Sequence, residues 1–291
     1  MKFYIVTPTY NSLQWLSRCV RSVADQVGEG VEVHHHVQDG GSSDGTPAWL
    51  EQWAGEHAGH AGYKFSYRSG RDRGMYDALN LAWADIPADA DVTAHLNSDE
   101  QYLPGALSGV AAVYEGRPQT DLVLTTFIIL NQDGSYHCHR RPVFPHAWSS
   151  RMVCEIITCA CFHKVSSFRK HGVRFQAVYK SIGDLVFFAD IMNTRPDVVV
   201  CPELLTSGYA MTGSNLAWSA VTRAEEERYY KTLSPLQNRL RGLVRRAVNF
   251  RRRVTDVWSS PPKSCALYAG DSETRVTQVI TKPTCIWRIP H

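Results

Sequence analysis

Apolar runs and helical patterns alternate through the first 115 residues, and that alternation leaves few ways for the chain to fold. Residues 2–7 read as a buried strand, 13–26 as a helix with Leu16, Cys19, Val20 and Val23 inward, and 31–38 as a second strand. A further strand is expected over 63–69, a helix over 75–84, a strand over 92–97 and a helix over 107–114. Repeated units of this kind bury a sheet only when helices cover it, so the expectation is an α/β fold with a mostly parallel sheet and helices on both faces. The loop Asp39-Gly40-Gly41-Ser42-Ser43-Asp44-Gly45 leads into another helix, with Thr46 as the expected cap and Pro47 in the first turn.

After Asp121 the pattern changes. Residues 122–130 and 136–141 flank Asn131-Gln132-Asp133-Gly134, a hairpin turn signal. A helix over 184–193 and a strand over 198–201 make this a mixed α+β region. Residues 215–232 and 236–254 read as helices, and Ser259-Ser260-Pro261-Pro262 reads as a linker. The expected organisation is a domain over 1–215 with halves 1–115 and 116–215, basic amphipathic helices over 216–258 and a small strand-rich tail over 259–291.

Composition narrows the function classes. Hydrophobic residues make up 44% of the 291, which argues against global disorder. No apolar run approaches the ~20 residues of a spanning helix, and residues 1–7 lack the order of a signal peptide, so a cytoplasmic protein is expected. A net charge of +3 is too small to imply nucleic acid as a partner. Eight cysteines without a secretory signal are expected to be reduced thiols. Cys159-x-Cys161-x-His163 and His137-Cys138-His139 lack a second ligand pair, so core packing is expected there rather than zinc. His34, His35 and His36 lie in a strand that points them to opposite faces, which rules out a shared metal.

The chemistry-bearing loops are 8–12, 39–46 and 97–100. Each follows a strand and would lie along one edge of a parallel sheet, where doubly wound folds bind ligands. Thr93-Ala94-His95-Leu96-Asn97-Ser98-Asp99-Glu100 ends in a cluster of amide and carboxylate oxygens, a natural seat for a divalent cation holding phosphates. No Gly-x-Gly-x-x-Gly follows the first strand and no Walker lysine motif occurs, so dinucleotide and P-loop readings lose their main support. An enzyme is expected rather than a binding module.

Four segments in order carry a resemblance: Ile5-Val6-Thr7-Pro8-Thr9-Tyr10-Asn11, Gln38-Asp39-Gly40-Gly41-Ser42-Ser43-Asp44-Gly45-Thr46, Asp72-Arg73-Gly74-Met75-Tyr76-Asp77-Ala78-Leu79-Asn80 and Leu96-Asn97-Ser98-Asp99-Glu100. Together they resemble a family 2 glycosyltransferase. The resemblance implies a GT-A (Rossmann-like) fold, a nucleotide-diphosphate sugar as donor, Mg²⁺ or Mn²⁺, and inversion at the anomeric carbon. It implies that Pro8, Thr9, Tyr10 and Asp39 hold base and ribose, that Asp72 and Asp77 line the nucleotide side, and that Asp99 is the metal ligand. Asn97 stands where the family has its first acid, and is expected to hydrogen-bond a ribose or phosphate oxygen. Ser181-Ile182-Gly183-Asp184-Leu185 resembles the stretch in which Asp184 would be the catalytic base, its alternative being a helix N-cap; Asp190 and Glu155 are weaker substitutes. Asp44 is read as a structural cap and Glu100 as a solvated loop carboxylate. The segment 208–214 resembles one that closes the acceptor side, and a simple turn explains it equally well.

Leu236, Leu240, Leu243, Val244, Ala247 and Val248 recur at helical spacing among seven arginines between Arg239 and Arg253. Over 236–254 this suits a helix on an anionic membrane surface at the inner face, or one packed on the protein with its arginines solvated. The resemblance implies a hexosyltransferase acting on a hydroxyl of a glycan or lipid-linked acceptor, and by the same analogy a role in surface polysaccharide biosynthesis. The alternative is a catalytically inactive subunit of the same fold that binds nucleotide or glycan.

Overall fold

The computed structural model describes residues 1–28, 30–212, 219–270 and 272–286. In chain order the elements are β1 (Lys2–Thr9), α1 (Leu13–Ala24), β2 (Glu32–Asp39), α2 (Thr46–Glu56), β3 (Tyr63–Ser69), α3 (Met75–Ala84), β4 (Val92–His95), β5 (Glu100–Tyr102) and α4 (Ala106–Gly116). There follow β6 (Leu122–Leu130), β7 (Tyr136–Arg140), α5 (Ala147–Ser150), a 3-10 turn (Thr158–Ala160), β8 (Cys161–Lys164), α6 (Val165–His171), α7 (Gly183–Asn193), β9 (Val198–Ala210), α8 (Ala220–Tyr230), α9 (Pro235–Trp258), β10 (Ser264–Tyr268) and β11 (Arg275–Val279).

The described residues form a nine-stranded sheet in the order β3-β2-β1-β4-β8-β6-β9-β5, with β7 paired to β6. The pairs β3-β2, β2-β1 and β1-β4 are parallel, as the alternation requires, and β6-β9 is parallel too. Antiparallel β8 joins the halves between β4 and β6. Side chains of one strand alternate between the two faces: Phe3 and Ile5 pack with Leu107 and Val110 of α4, whereas Tyr4 and Val6 pack with Leu79 of α3 and Phe187 of α7. Both faces are therefore dry, which is why β1 and β6 read as continuous apolar runs.

The structure departs from the expected elements where a local signal misleads. Gly45, at φ 94°, takes the cap position of α2, and Asp44 accepts bonds from Thr46 N (3.1 Å) and Thr46 Oγ1 (2.6 Å), so Thr46 is the first helical residue and not the cap. Pro202 ends the apolar run at 201, yet β9 continues to Ala210. The proline sits at a register shift where its carbonyl accepts from Thr126 Oγ1 at 2.7 Å and from Arg141 at 2.6 Å. Gly208, Tyr209 and Ala210 are strand residues paired with β6 rather than part of a turn, and 213–214 lie outside the described residues, as do 215–218 of the expected helix.

Cys159 lies in the 3-10 turn and Cys161 on β8, so the two thiols face different apolar clusters and share no face with each other. Among the described residues no three His, Cys, Asp or Glu side chains form a metal-binding group. No helix among them is long and apolar enough to cross a membrane.

Trp83 anchors the side of the sheet that carries α3 and α7. Its ring stacks on Phe175 and Phe187, and its indole N–H donates to Thr93 Oγ1 at 3.1 Å. Trp83→Ala should cost about 3–5 kcal/mol, read as a lower urea midpoint at unchanged slope. A loss below about 1 kcal/mol would show that this cluster is not the anchor.

Candidate active site

A cavity of about 1020 Å³ opens at the carboxyl ends of β1 and β4. The end of β1 and the loop after it contribute Pro8, Thr9, Tyr10 and Ser12, the loop after β2 contributes Gly40, Gly41 and Ser43, and the turn from β4 into β5 contributes Asn97, Ser98, Asp99 and Glu100. Arg71, Asp72, Met75 and Tyr76 line it before and within α3; Lys180, Ser181 and Asp184 line it at the start of α7. Tyr209 of β9 and Thr212 just after it close the cavity.

The loops lock one another through backbone donors. Asn11, at φ 47°, donates its N–H to Ser42 Oγ at 2.7 Å, and its side-chain oxygen accepts from Ser43 N at 2.9 Å. Ser12 Oγ bridges Thr9 Oγ1 (2.9 Å) and Ser98 Oγ (2.8 Å), tying the β1 and β4 loops together. Asp44 also accepts from Leu13 N at 2.9 Å, outside the cavity, so it fastens α1 to α2. At Gly40 a Cβ would lie 3.2 Å from Asp72 Oδ2 and 3.4 Å from Tyr10 Cδ2, which leaves no slack for a side chain between these two walls.

Of the expected site residues, Pro8, Thr9, Tyr10, Asp72, Asn97, Asp99 and Asp184 are brought to this one cavity. Asp39 and Asp77 are not among its lining. Asp39 is fully buried beneath Gly40, accepting from Ser42 N at 3.2 Å, Ser42 Oγ at 2.5 Å and Ser69 Oγ at 2.5 Å. Asp77 accepts from Arg73 N at 3.1 Å and pairs with the Arg73 guanidinium at 2.7 Å, holding the loop that enters α3. Glu155 is buried against Ser149 and Ser150, and Asp190 bonds Gln176; neither lines the cavity.

Glu100 is no solvated loop carboxylate. It opens β5, is almost fully buried, and accepts from Asn97 N at 2.6 Å across the turn that sets the loop. Burial pushes Asp99 up to about 6, and burial together with the charge of Asp99 pushes Glu100 up to about 8. Asp99 Oδ2 takes a long bond of 3.4 Å from Thr212, and Asn97 Oδ1 is buried without a partner among the described residues.

Asp184 stands in the first turn of α7 but caps nothing: Ile182 holds the cap position, and Asp184 Oδ1 accepts from Tyr76 OH. Burial raises its pKa. A Cβ on Gly183 would collide with the Tyr76 ring, so glycine is what lets α7 approach this closely. The loop before α7 is held by Glu225 of α8, whose carboxylate accepts from three successive amides, Lys180 N (2.7 Å), Ser181 N (2.9 Å) and Ile182 N (3.2 Å). Lys180 in turn donates from Nζ to the Arg73 carbonyl, which puts its charge on the cavity wall. Tyr76 lay inside a motif that the sequence singles out, and Lys180 directly beside one. Glu225 has no local signal, because its partners are 43 to 45 residues away.

A family profile, "Glycosyl transferase family 2", matches residues 4–190, well over half of the chain. The chain belongs to glycosyl transferase family 2. It is a glycosyltransferase, and every expected site residue lies inside the matched span. No curated protein sequence matches it. Among solved structures, one of S. aureus TarS shares 15% identity at a TM-score of 0.61, covering 96% of this chain and 60% of that one. The chain therefore spans less than two thirds of that TarS chain. S. aureus TarS 1-349 in complex with UDP shares 14% identity, with 94% and 98% covered and a TM-score of 0.58; the complex with UDP-GlcNAc shares 14%, with 96% and 100% covered and 0.59. Such identities establish the fold, GT-A, with the sheet and its surrounding helices as described.

The buried acids set a pH signature. Folded Glu100 keeps its proton to about pH 8, while an unfolded glutamate loses it near pH 4.3. Its contribution to stability is thus present at low pH and lost as pH rises through the folded value. Buried His35, His95 and His163, held down to about 3, act oppositely and stop contributing a slope above roughly pH 6.5. In the absence of divalent cations, Tm should fall between about pH 6.5 and 8, and Glu100→Gln should flatten that limb. A wild-type Tm that is level or rising there would contradict the burial of this carboxylate.

Proposed function

We propose that this glycosyltransferase moves a sugar from a nucleotide-diphosphate donor to a hydroxyl of a glycan or lipid-linked acceptor, with inversion and with Mg²⁺ or Mn²⁺. The observation that carries the reading is the cavity itself, where Asp99 from β4 and Asp184 from α7 share one space with Lys180 and Arg71. In this reading residues 1–115 form the donor half and 116–215 the acceptor half of one catalytic unit.

Pro8, Thr9, Tyr10 and Asp72 would receive the nucleoside. Asp39 reaches a base only if Ser42 and Ser69 turn away their hydroxyls, so it acts either through them or by holding the Gly40 wall. Lys180 and Arg71 face the diphosphate charge. The oxygen set at the end of β4 fits a hard cation: Asp99 carries a desolvated carboxylate, and the orphaned Asn97 Oδ1 supplies a neutral acceptor. When bound, Mg²⁺ or Mn²⁺ supplies Lewis-acid stabilisation of the leaving diphosphate. Asn97 in place of an acid lowers the negative charge of the site, and buried Glu100 restores it only when deprotonated.

Asp184 takes the proton from the acceptor hydroxyl as it attacks the anomeric carbon. Tyr76 OH occupies Oδ1 and orients the carboxylate, leaving Oδ2 for the acceptor. Burial raises its basicity, and Glu225 fixes the loop from which it projects. A single displacement by this base gives inversion without a covalent enzyme intermediate. Surface polysaccharide assembly is the role that a glycan or lipid-linked acceptor supports.

The test begins with UDP-GlcNAc, because the fold neighbour TarS is seen with it, and extends to a panel of nucleotide sugars with Mn²⁺. Release of nucleoside diphosphate is expected from at least one donor; none from any would contradict the enzyme reading of this site. Asp184→Asn should reduce transfer by about 10²- to 10⁴-fold while thermal stabilisation by the donor persists. Equal loss of both would make Asp184 structural.

A further inference from the structure

We propose that the outer face of α9 docks on an anionic lipid surface. Helix α9 opens with a capping box between Ser234 and Gln237 and runs for 24 residues. Its rotation is fixed by its inner edge: Val248 is buried, Arg252 donates to the Glu155 carbonyl at 3.0 Å, and Asp256 pairs with His139 and with Arg141 at 3.2 Å. The apolar residues that the sequence groups into one stripe are thereby split. Val244 and Val248 pack on the body, while Leu236 and Leu243 face outward beside Phe250 and Val257, which the stripe does not include; these four are exposed by 58%, 60%, 67% and 81%.

Those four recur every seven residues, and three arginines at the same interval, Arg239, Arg246 and Arg253, run beside them. Such a seam also suits a second copy of the chain, but charge argues against it. An antiparallel partner sets that arginine row against its own copy, and a parallel partner sets Arg246 near Arg251. Residues 232–255 carry seven arginines and no acid to relieve the repulsion. An apolar stripe flanked by arginines, with Trp258 exposed at the helix end, fits the boundary between anionic headgroups and acyl chains.

Docking there places the active site close to the surface along the chain: Arg252 holds the Glu155 carbonyl, and Ile157 and Thr158 line the cavity. The inference deepens the lipid-linked acceptor reading and rests on it for its purpose, but vesicle binding needs no turnover, so the two fail separately.

The experiment is sedimentation of the full chain with vesicles of phosphatidylcholine alone or mixed with phosphatidylglycerol. Binding is expected only to the mixed vesicles, weakening at high salt. Leu243→Gln/Phe250→Gln/Val257→Gln should weaken it by at least about tenfold, and Arg239→Gln/Arg246→Gln/Arg253→Gln by a similar factor, with Tm unchanged because these side chains are exposed. Asp184→Asn should bind as the wild type does. Equal binding to both vesicle types, no binding, or wild-type behaviour of both triple variants would overturn the proposal. So would a wild-type dimer in light scattering that becomes a monomer in the apolar variant, which assigns the face to a second copy.

Discussion

Asp72, Asp99, Glu100 and Asp184 line one cavity, and burial raises the pKa of each, so folding gathers carboxyl groups where their charged forms are disfavoured. Such an arrangement costs stability, and it persists because rigid elements over-determine it. Asp99 and Glu100 are set by the turn between β4 and β5, Asp72 by its bond to Gly74 N at 2.8 Å, and Asp184 by α7 and Tyr76. Asp99 and Glu100 share one turn, while Asp72 and Asp184 reach the same cavity from before α3 and from α7.

The rest of the fold serves this placement. Parallel pairing of β1 with β2 and β4 brings three loops to one edge, and the aromatic stack around Trp83 presses α3 and α7 together so that Tyr76 meets Asp184. Close approach at two points depends on glycine: Gly40 between Asp72 and Tyr10, and Gly183 against the Tyr76 ring. Strand β9 adds a further wall, and Glu225 of α8 fastens the start of α7.

Much of this could be read from the residues in order. Apolar period and turn signals located β3, α3 and β6 to the residue; for α3 and β6, burial on one helix stripe or on both sheet faces leaves a local trace. The four motifs pointed to six of the lining residues, Pro8, Thr9, Tyr10, Asp72, Asn97 and Asp99, because each loop follows its strand directly. What escaped was long-range. Nothing near Glu100 shows that β9 will cover it, so it read as solvated; nothing near Pro202 shows that Thr126 and Arg141 await its carbonyl. β8 and α6 were missed because a four-residue antiparallel strand inserted between parallel neighbours has no periodicity of its own. Asp39 and Asp77 matched the family pattern, yet their carboxylates are consumed by their own loops.

In the proposed reading, Asp99 and Glu100 share a proton at neutral pH that an incoming cation and diphosphate displace. Calorimetric titration of the protein with Mn²⁺ and a nucleoside diphosphate, repeated at pH 7 in buffers of different ionisation enthalpy, counts that proton directly. The account predicts net proton release in the wild type and much less in Glu100→Gln. Binding with no release, or with proton uptake, would contradict it.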